Sequence, residues 1–315
     1  MNHIPSLDLS LFLSEDVDKK QQFVADLGNS FEEIGFISLK NHFLSEILMN
    51  DLYTQIKCFF DLPKETKQQY EIENLHGQRG YTSFGKEQAV GQAKADLKEF
   101  WHFGQEPNPM SDFSKDYHPN IVVKEISDFN KIGMDAFKML EKTGIYLLRA
   151  IALYLGLEEN YFDKWSTYGN SILRPIHYPP ITEEPQDAIR AGAHGDINLI
   201  TLLMGASTGG LQVLNKQEQW IDAIPKENEL VINVGDMLER LTNNKLRSTI
   251  HRVINPPKES WSEPRYSIPF FMHPRLDMPL NCLEVCIDEN NPKAHDDIAS
   301  GDFLHDRLRA IGLIK

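Results

Sequence analysis

Two histidines and an aspartate carry the strongest chemical signal in this chain. His194 and Asp196 stand in His194-Gly195-Asp196, and His251 follows inside Ser248-Thr249-Ile250-His251-Arg252-Val253. Two imidazoles and one carboxylate can grip Fe(II) on one face and leave its other positions open for chemistry. On a strand, residues i and i+2 point to the same side, so a strand carrying both His194 and Asp196 would aim both at one ion. An HxD pair is a weak signal alone, because a lone strand histidine is more often a satisfied core residue than a ligand. Its setting strengthens it: Ile197-Asn198-Leu199-Ile200-Thr201-Leu202-Leu203 leads out as a buried strand. A carboxylate beside such an apolar run is costly unless a cation compensates it.

Arg265-Tyr266-Ser267 repeats the i, i+2 geometry ahead of the apolar Ile268-Pro269-Phe270-Phe271. A guanidinium there suits an anionic partner such as a carboxylate, with the serine hydroxyl as a second donor; the plainer alternative is a strand-end surface pair. Leu173-Arg174-Pro175-Ile176-His177-Tyr178 opens the strand-rich half. Tyr178 has the chemistry to hydrogen-bond a ligand, and Arg174 and His177 suit either pocket or framework. His102, in Phe100-Trp101-His102-Phe103, suits a pocket wall or the core. Arg79, Tyr81, Trp101, Arg190 and Phe271 are further candidates for lining a pocket.

The chain around these residues is ordinary for a globular protein. Its 315 residues are 41% hydrophobic and 25% charged, enough to bury a sizeable core. A net charge of −14 argues against nucleic acid or an anionic membrane as partner, so an anionic substrate must be drawn in by local cations. No apolar run approaches the ~20 residues needed to span a bilayer. The start, Met1-Asn2-His3-Ile4-Pro5, lacks a signal-peptide pattern, which leads us to expect a cytoplasmic protein. Cys58, Cys282 and Cys286 fit that compartment as buried or incidental thiols; the second ligand pair that a zinc site at Cys282 and Cys286 needs is not evident.

Periodicity supplies the scaffold. Ile4 to Leu9 reads as an opening strand. A helix capped by Ser14 follows, with Phe23, Val24, Leu27, Phe31 and Ile34 on one face, until Gly35 stops it. Phe36 to Leu39 reads as a strand, and a second helix runs from Ser45 to Leu62. Residues 77–94 read as an extended loop, and a long helix runs from Phe129 through Leu155. From about Leu173 the period becomes two, with turns such as Ser207-Thr208-Gly209-Gly210 between short strands, the pattern of a sandwich or barrel. Gly235-Asp236-Met237-Leu238 reads as a turn and strand start, and Asp302 to Ile311 as a helix. We expect one mainly-β domain over 1–315: a helix-rich part over 1–170 packed around a sandwich core at 171–280, and a helical segment at 281–315.

These residues resemble the 2-oxoglutarate- and Fe(II)-dependent dioxygenases of the isopenicillin N synthase-like type, over nearly the whole chain. In the N-terminal half the likeness rests on Ile4-Pro5-x-Leu7-Asp8-Leu9, Gly35-Phe36 with Asn41-His42, and Arg79-Gly80-Tyr81 followed by Asp96-Leu97-Lys98-Glu99. In the catalytic half it rests on Tyr178-Pro179, His194-x-Asp196, His251-Arg252-Val253 and Arg265-x-Ser267, a highly specific order and spacing. The closing Phe303-Leu304 and Arg309-Ala310-Ile311-Gly312-Leu313 are similar to bacterial members.

The resemblance implies a double-stranded β-helix, or jelly-roll, core with Fe(II) held by His194, Asp196 and His251. It implies that 2-oxoglutarate chelates the metal through its keto-acid end while Arg265 and Ser267, with Tyr178 as a further contact, hold its distal carboxylate. O2 takes the last position, and oxidative decarboxylation to succinate and CO2 drives hydroxylation, desaturation or cyclisation of a small-molecule substrate. An oxidase of the isopenicillin N synthase type, which carries the same arginine-serine pair but uses no 2-oxoglutarate, is the rival reading. A jelly-roll that binds metal or ligand without turnover is a third. Three departures stand out: Ile176 where many plant members carry asparagine, Phe43 where glycine is usual after Asn41-His42, and Gly195 where a hydroxyl or acidic residue is common. Oligomeric state and the identity of the substrate are not legible.

Overall fold

Asp16, two residues beyond the expected Ser14, starts the first long helix. In the computed structural model, which describes residues 3–75, 77–86, 97–106, 117–184, 189–205, 209–224 and 226–310, the Asp16 carboxylate accepts from the amides of Asp18 and Lys19. Ser14 acts one turn earlier, accepting from the Asp16 amide at 3.1 Å. The helices are α1 (Leu9–Phe12), α2 (Val17–Glu33), α3 (Glu46–Phe60), α4 (Lys64–Gln68), α5 (Phe129–Tyr154), α6 (Asp163–Ser166), α7 (Asp236–Leu241) and α8 (Ser300–Ala310). The expected helices at 14–34, 45–62 and 129–155 correspond to α2, α3 and α5. Gly235 to Leu238 differs from expectation, since it enters α7 instead of a strand.

The strands are β1 (Ser6–Asp8), β2 (Phe36–Lys40), β3 (Gly80–Thr82), β4 (Glu99–Gly104), β5 (Ile172–Leu173), β6 (Ile176–Tyr178), β7 (Ala191–His194), β8 (Ile200–Met204), β9 (Leu211–Leu214), β10 (Trp220–Asp222), β11 (Leu230–Val234), β12 (His251–Val253) and β13 (Arg265–Met272). Among the described residues, nine of them form one sheet in the order β1-β2-β11-β8-β13-β5-β4-β3, with β6 paired to β13 and β4. The other four form a smaller sheet, β10-β9-β12-β7. Four strands of the larger sheet therefore come from the helix-rich half, and β3 falls inside the stretch read as loop. Residues 87–94 of that stretch lie outside the described residues.

Alternation along the strands assigns the two faces of the large sheet. Leu202, Met204, Ile232, Ile268 and Phe270 join the main core with α2, α3 and α5. The other face carries Leu203 and Val231, which pack with Phe36, Ala191, Leu211, Val213 and Val253 between the sheets. The molecule is thus layered as helices, large sheet and small sheet, and the space between the sheets is where polar residues can gather. No helix among the described residues is long and apolar enough to cross a membrane.

The junction of α2 with β2 depends on Gly35, whose φ of +70° favours glycine. A Cβ there would also lie 2.2 Å from the Arg247 carbonyl oxygen. We expect Gly35→Ala to lower unfolding stability by more than ~1 kcal/mol, read from urea or thermal denaturation. An unchanged midpoint would refute this packing argument.

Candidate functional site

His194 ends β7 and His251 begins β12, and the two are direct partners across the antiparallel pair. Cross-strand partners share a face, so the two rings converge, with centroids 4.5 Å apart. Asp196 arrives differently from expectation. It lies past the end of β7, so no strand period aims it; a turn does. The Asp236 amide at the start of α7 donates to the Asp196 carbonyl at 2.7 Å, and the Met237 amide donates to the carbonyls of Ile197 and Asn198 at 3.2 Å. The helix start that the sequence hid thus clamps the turn that carries Asp196.

The Asp196 carboxylate is 7% exposed and divides its two oxygens. Oδ2 accepts from the Thr201 hydroxyl at 2.6 Å and from the Asn233 amide at 2.8 Å. Oδ1 faces the imidazoles, 4.0 Å from His194 Nε2 and 3.8 Å from His251 Nε2. Burial alone would raise the Asp196 pKa, but the two imidazoles and the two hydrogen bonds outweigh it and hold the carboxyl below its ordinary value.

Each histidine is fixed in one tautomer. His194 Nδ1 lies 2.7 Å from the Gly192 carbonyl oxygen and His251 Nδ1 lies 3.2 Å from that of Thr249. A carbonyl only accepts, so Nδ1 carries the proton and both Nε2 lone pairs turn to the centre. Desolvation, then the neighbouring His251, pushes the His194 pKa down to about 4, which keeps the ring in its neutral, ligating form. One ligand atom from each of the three residues falls within 4.8 Å of the others. Two imidazole nitrogens and an ionised carboxylate oxygen at this spacing fit one divalent cation. The His194 side chain stays 41% accessible, leaving an open side to the centre.

The same face of the large sheet holds the other predicted residues. Thr201 pairs with Phe271 and with Asn233, which places Phe271 on the face that carries the Asp196 donors. By alternation Ser267 and Arg265 join it, and their partners Ile176 and Tyr178 come with them. Arg265 is 1% exposed; burial lowers its pKa, opposed by Tyr178 and Tyr53, and it hydrogen-bonds Tyr178. Arg190 is also buried beside the Tyr178 ring. Arg174 lies between the rings of Phe100 and Phe271, at 4.6 and 5.1 Å, and its Nε donates to His102 Nε2 at 2.5 Å.

Other candidates point elsewhere. Tyr81 pairs with Trp101 on the opposite face, where Trp101 packs on Phe59 and Phe129. Tyr81 donates to Glu99, which also receives the Lys67 ammonium at 2.9 Å and His177 Nδ1 at 2.7 Å. Arg79 is framework: it packs against Gly104 and donates to the carbonyls of Gln78 and His118. Gly195 also finds its reason. A Cβ there would meet the Asp236 carboxylate at 3.0 Å and the Ser248 hydroxyl at 3.1 Å, which are themselves hydrogen-bonded at 2.6 Å. The niche that a side chain between His194 and Asp196 would use is already filled.

Sequence reading missed Thr201, Asn233 and His273. The first two had a signal, as polar residues inside otherwise apolar strands; His273, one residue past β13, had none. His273 is 8% exposed, and its Nδ1 is buried without a hydrogen-bond partner. Burial pushes its pKa down to about 4, with Asp196 opposing and Arg174 adding to the shift. An unfolded histidine titrates near 6.5, so between about pH 6.5 and 4 the unfolded chain binds protons that the folded one refuses. Stability is fully present above that window and is lost as the pH falls through it. In chelator-treated protein, His273→Asn should remove up to about 1.4 kcal/mol per pH unit from the slope of unfolding free energy there. An unchanged slope would mean that His273 protonates normally when folded.

Known proteins resemble this chain in sequence and fold. Residues 4–125 fit the family model for the N-terminal region of non-haem dioxygenases in morphine synthesis, and residues 169–274 fit that of the 2OG-Fe(II) oxygenase superfamily. A 2-oxoglutarate-Fe(II) type oxidoreductase of Aspergillus fumigatus is 31% identical over 97% of this chain and 92% of its own length. The crystal structure of a putative 2OG-Fe(II) oxygenase family protein from Caulobacter crescentus superposes with a TM-score of 0.89 at 43% identity, over 99% of this chain and 100% of the other. A full-length Neurospora crassa protein, solved in complex with alpha-KG and thymine, gives 0.86 at 33% identity, over 98% and 96%. The layered sheets are the jelly-roll of that family, and the chain belongs to the 2OG-Fe(II) oxygenase superfamily, the Fe(II)- and 2-oxoglutarate-dependent dioxygenases.

Proposed function

We propose that His194, Asp196 and His251 are the Fe(II) ligands of this dioxygenase, that Arg265, Ser267 and Tyr178 bind the distal carboxylate of 2-oxoglutarate, and that the oxidised substrate is a small molecule. The observation that carries the reading is the convergence of two Nε2 lone pairs and Asp196 Oδ1, while Oδ2 is held by Thr201 and Asn233. When bound, Fe(II) supplies a redox-active Lewis acid whose remaining positions serve 2-oxoglutarate and O2.

The chain's own residues do the rest. Gly192 and Thr249 fix the imidazole tautomers. Thr201 and Asn233 keep Asp196 ionised and oriented. Arg265 supplies a buried positive charge for a carboxylate, and Ser267 a hydroxyl on the same face of β13. Arg265 donates to the Tyr178 oxygen, leaving the phenolic proton for an anionic acceptor. Phe100 and Phe271, with Arg174 stacked between them, form an aromatic wall with a polar edge on the same face, suited to a small polar molecule. The thymine complex of the Neurospora crassa relative supports a substrate of that size. Three free cysteines support a cytoplasmic location.

Asp196→Ala should abolish the substrate-dependent release of succinate under O2, while succinate formed at the wild-type rate would overturn the metal assignment. A gentler variant tests the support of the ligand. Thr201→Val should weaken Fe(II) binding about 10–100-fold in protein that remains folded, as measured by metal titration of apoprotein.

A further inference from the structure

A second buried cation lies beside Tyr178, one of the residues proposed to hold the distal carboxylate of 2-oxoglutarate. Arg190, immediately before β7, is 2% exposed, and Arg265 is 1% exposed. The two guanidiniums attend one ring: Cζ of Arg265 lies 5.0 Å from the Tyr178 centroid and Cζ of Arg190 lies 5.9 Å from it. Nη2 of Arg190 donates to the Glu263 carbonyl at 3.3 Å, a long bond to a neutral group. Its Nε is buried without a hydrogen-bond partner. Among the described residues, no carboxylate forms an ion pair with Arg190. Burial, and then the charge of Arg265, pushes the Arg190 pKa down to about 10, so each cation is destabilised by the other.

Two desolvated like charges on one phenol cost the empty protein stability, and an anion between them would remove that cost. Among the described residues, the hydrogen bond to the Glu263 carbonyl does not neutralise Arg190. We propose that Arg190 is a second cation of the cosubstrate pocket, a positioning residue that acts with Arg265 across Tyr178 on the distal carboxylate and favours keto acids that carry one. This inference rests on the assignment of Arg265, Ser267 and Tyr178 to 2-oxoglutarate. The plain structural alternative is that Arg190 only ties β7 to the segment before β13 through Glu263. The two predict opposite effects on the empty protein.

The test uses the Fe(II)-loaded protein under anaerobic conditions. It is titrated with 2-oxoglutarate and with pyruvate, which keeps the keto-acid head and lacks the distal carboxylate. Binding is read from the charge-transfer absorption of the chelate, and melting temperature is measured without keto acid. For Arg190→Met we expect 2-oxoglutarate affinity to fall about tenfold or more, pyruvate affinity to hold, and the melting temperature to hold or rise. Arg190→Lys should recover part of the lost affinity. Equal losses for both keto acids with a lower melting temperature, or unchanged 2-oxoglutarate affinity, would overturn the inference. Arg265→Met separates the two levels of the argument. A large, 2-oxoglutarate-selective loss there upholds the pocket, whereas unchanged affinity would overturn the pocket assignment and with it the role given to Arg190.

Discussion

A carboxylate deprived of water is the constraint around which this molecule is organised. Asp196 is 7% exposed, in a layer it shares with Phe36, Leu211, Val213 and Val231. Desolvating a charge is costly unless hydrogen bonds and opposite charge replace the lost water. The protein supplies donors from two neighbouring strands, Thr201 on β8 and Asn233 on β11, and aims both at one oxygen. The other oxygen is left for two imidazoles and the cation they can share. A polar network of this kind is stable only when complete, which is why the ligand set and its supports are one unit.

The layered fold makes that completeness possible. The large sheet turns one face to the helices and the other to the small sheet, so its inward polar residues meet the histidine-bearing strands across a thin gap. The α7 start reinforces the arrangement, because the unpaired amides of a first helical turn close the 196–198 turn by donating to its carbonyls. The residues proposed for the cosubstrate use the same face: β6 sets Tyr178 against Arg265 in register. Behind that sheet, Lys67, Glu99, His177 and Tyr81 form a second buried polar cluster that joins helix, β3, β4 and β6.

Much of the site was legible because chemistry fixed both residue type and spacing. His194, Asp196, His251, Arg265 and Ser267 stand out in a bare sequence for that reason, and the long helices stand out by period. What the sequence hid was which side of a strand faces what. Tyr81 and Trp101 sit among motif residues yet face the core, whereas Thr201 and Asn233 hide inside apolar runs and face Asp196. The pairing of β2 with β11 joins segments far apart in the chain, which no local pattern reports. Asp16 prevailed over Ser14 as helix cap for a local reason, since both have suitable side chains and only Asp16 adjoins the first helical residue.

The pairing of β7 with β12 has a consequence for how this sequence can change. Ala191 partners Val253 and His194 partners His251, so β7 uses one residue more than β12 over the same span. That extra residue is why an apolar side chain and a ligand three positions apart can share a face, which regular alternation would forbid. The distance from Ala191 to His194 is therefore a frame, in the sense that a codon is. Loss of one residue within it would turn either the apolar anchor or the imidazole outward, with every ligand still present in the sequence. A survey of motifs alone would score such a protein as intact.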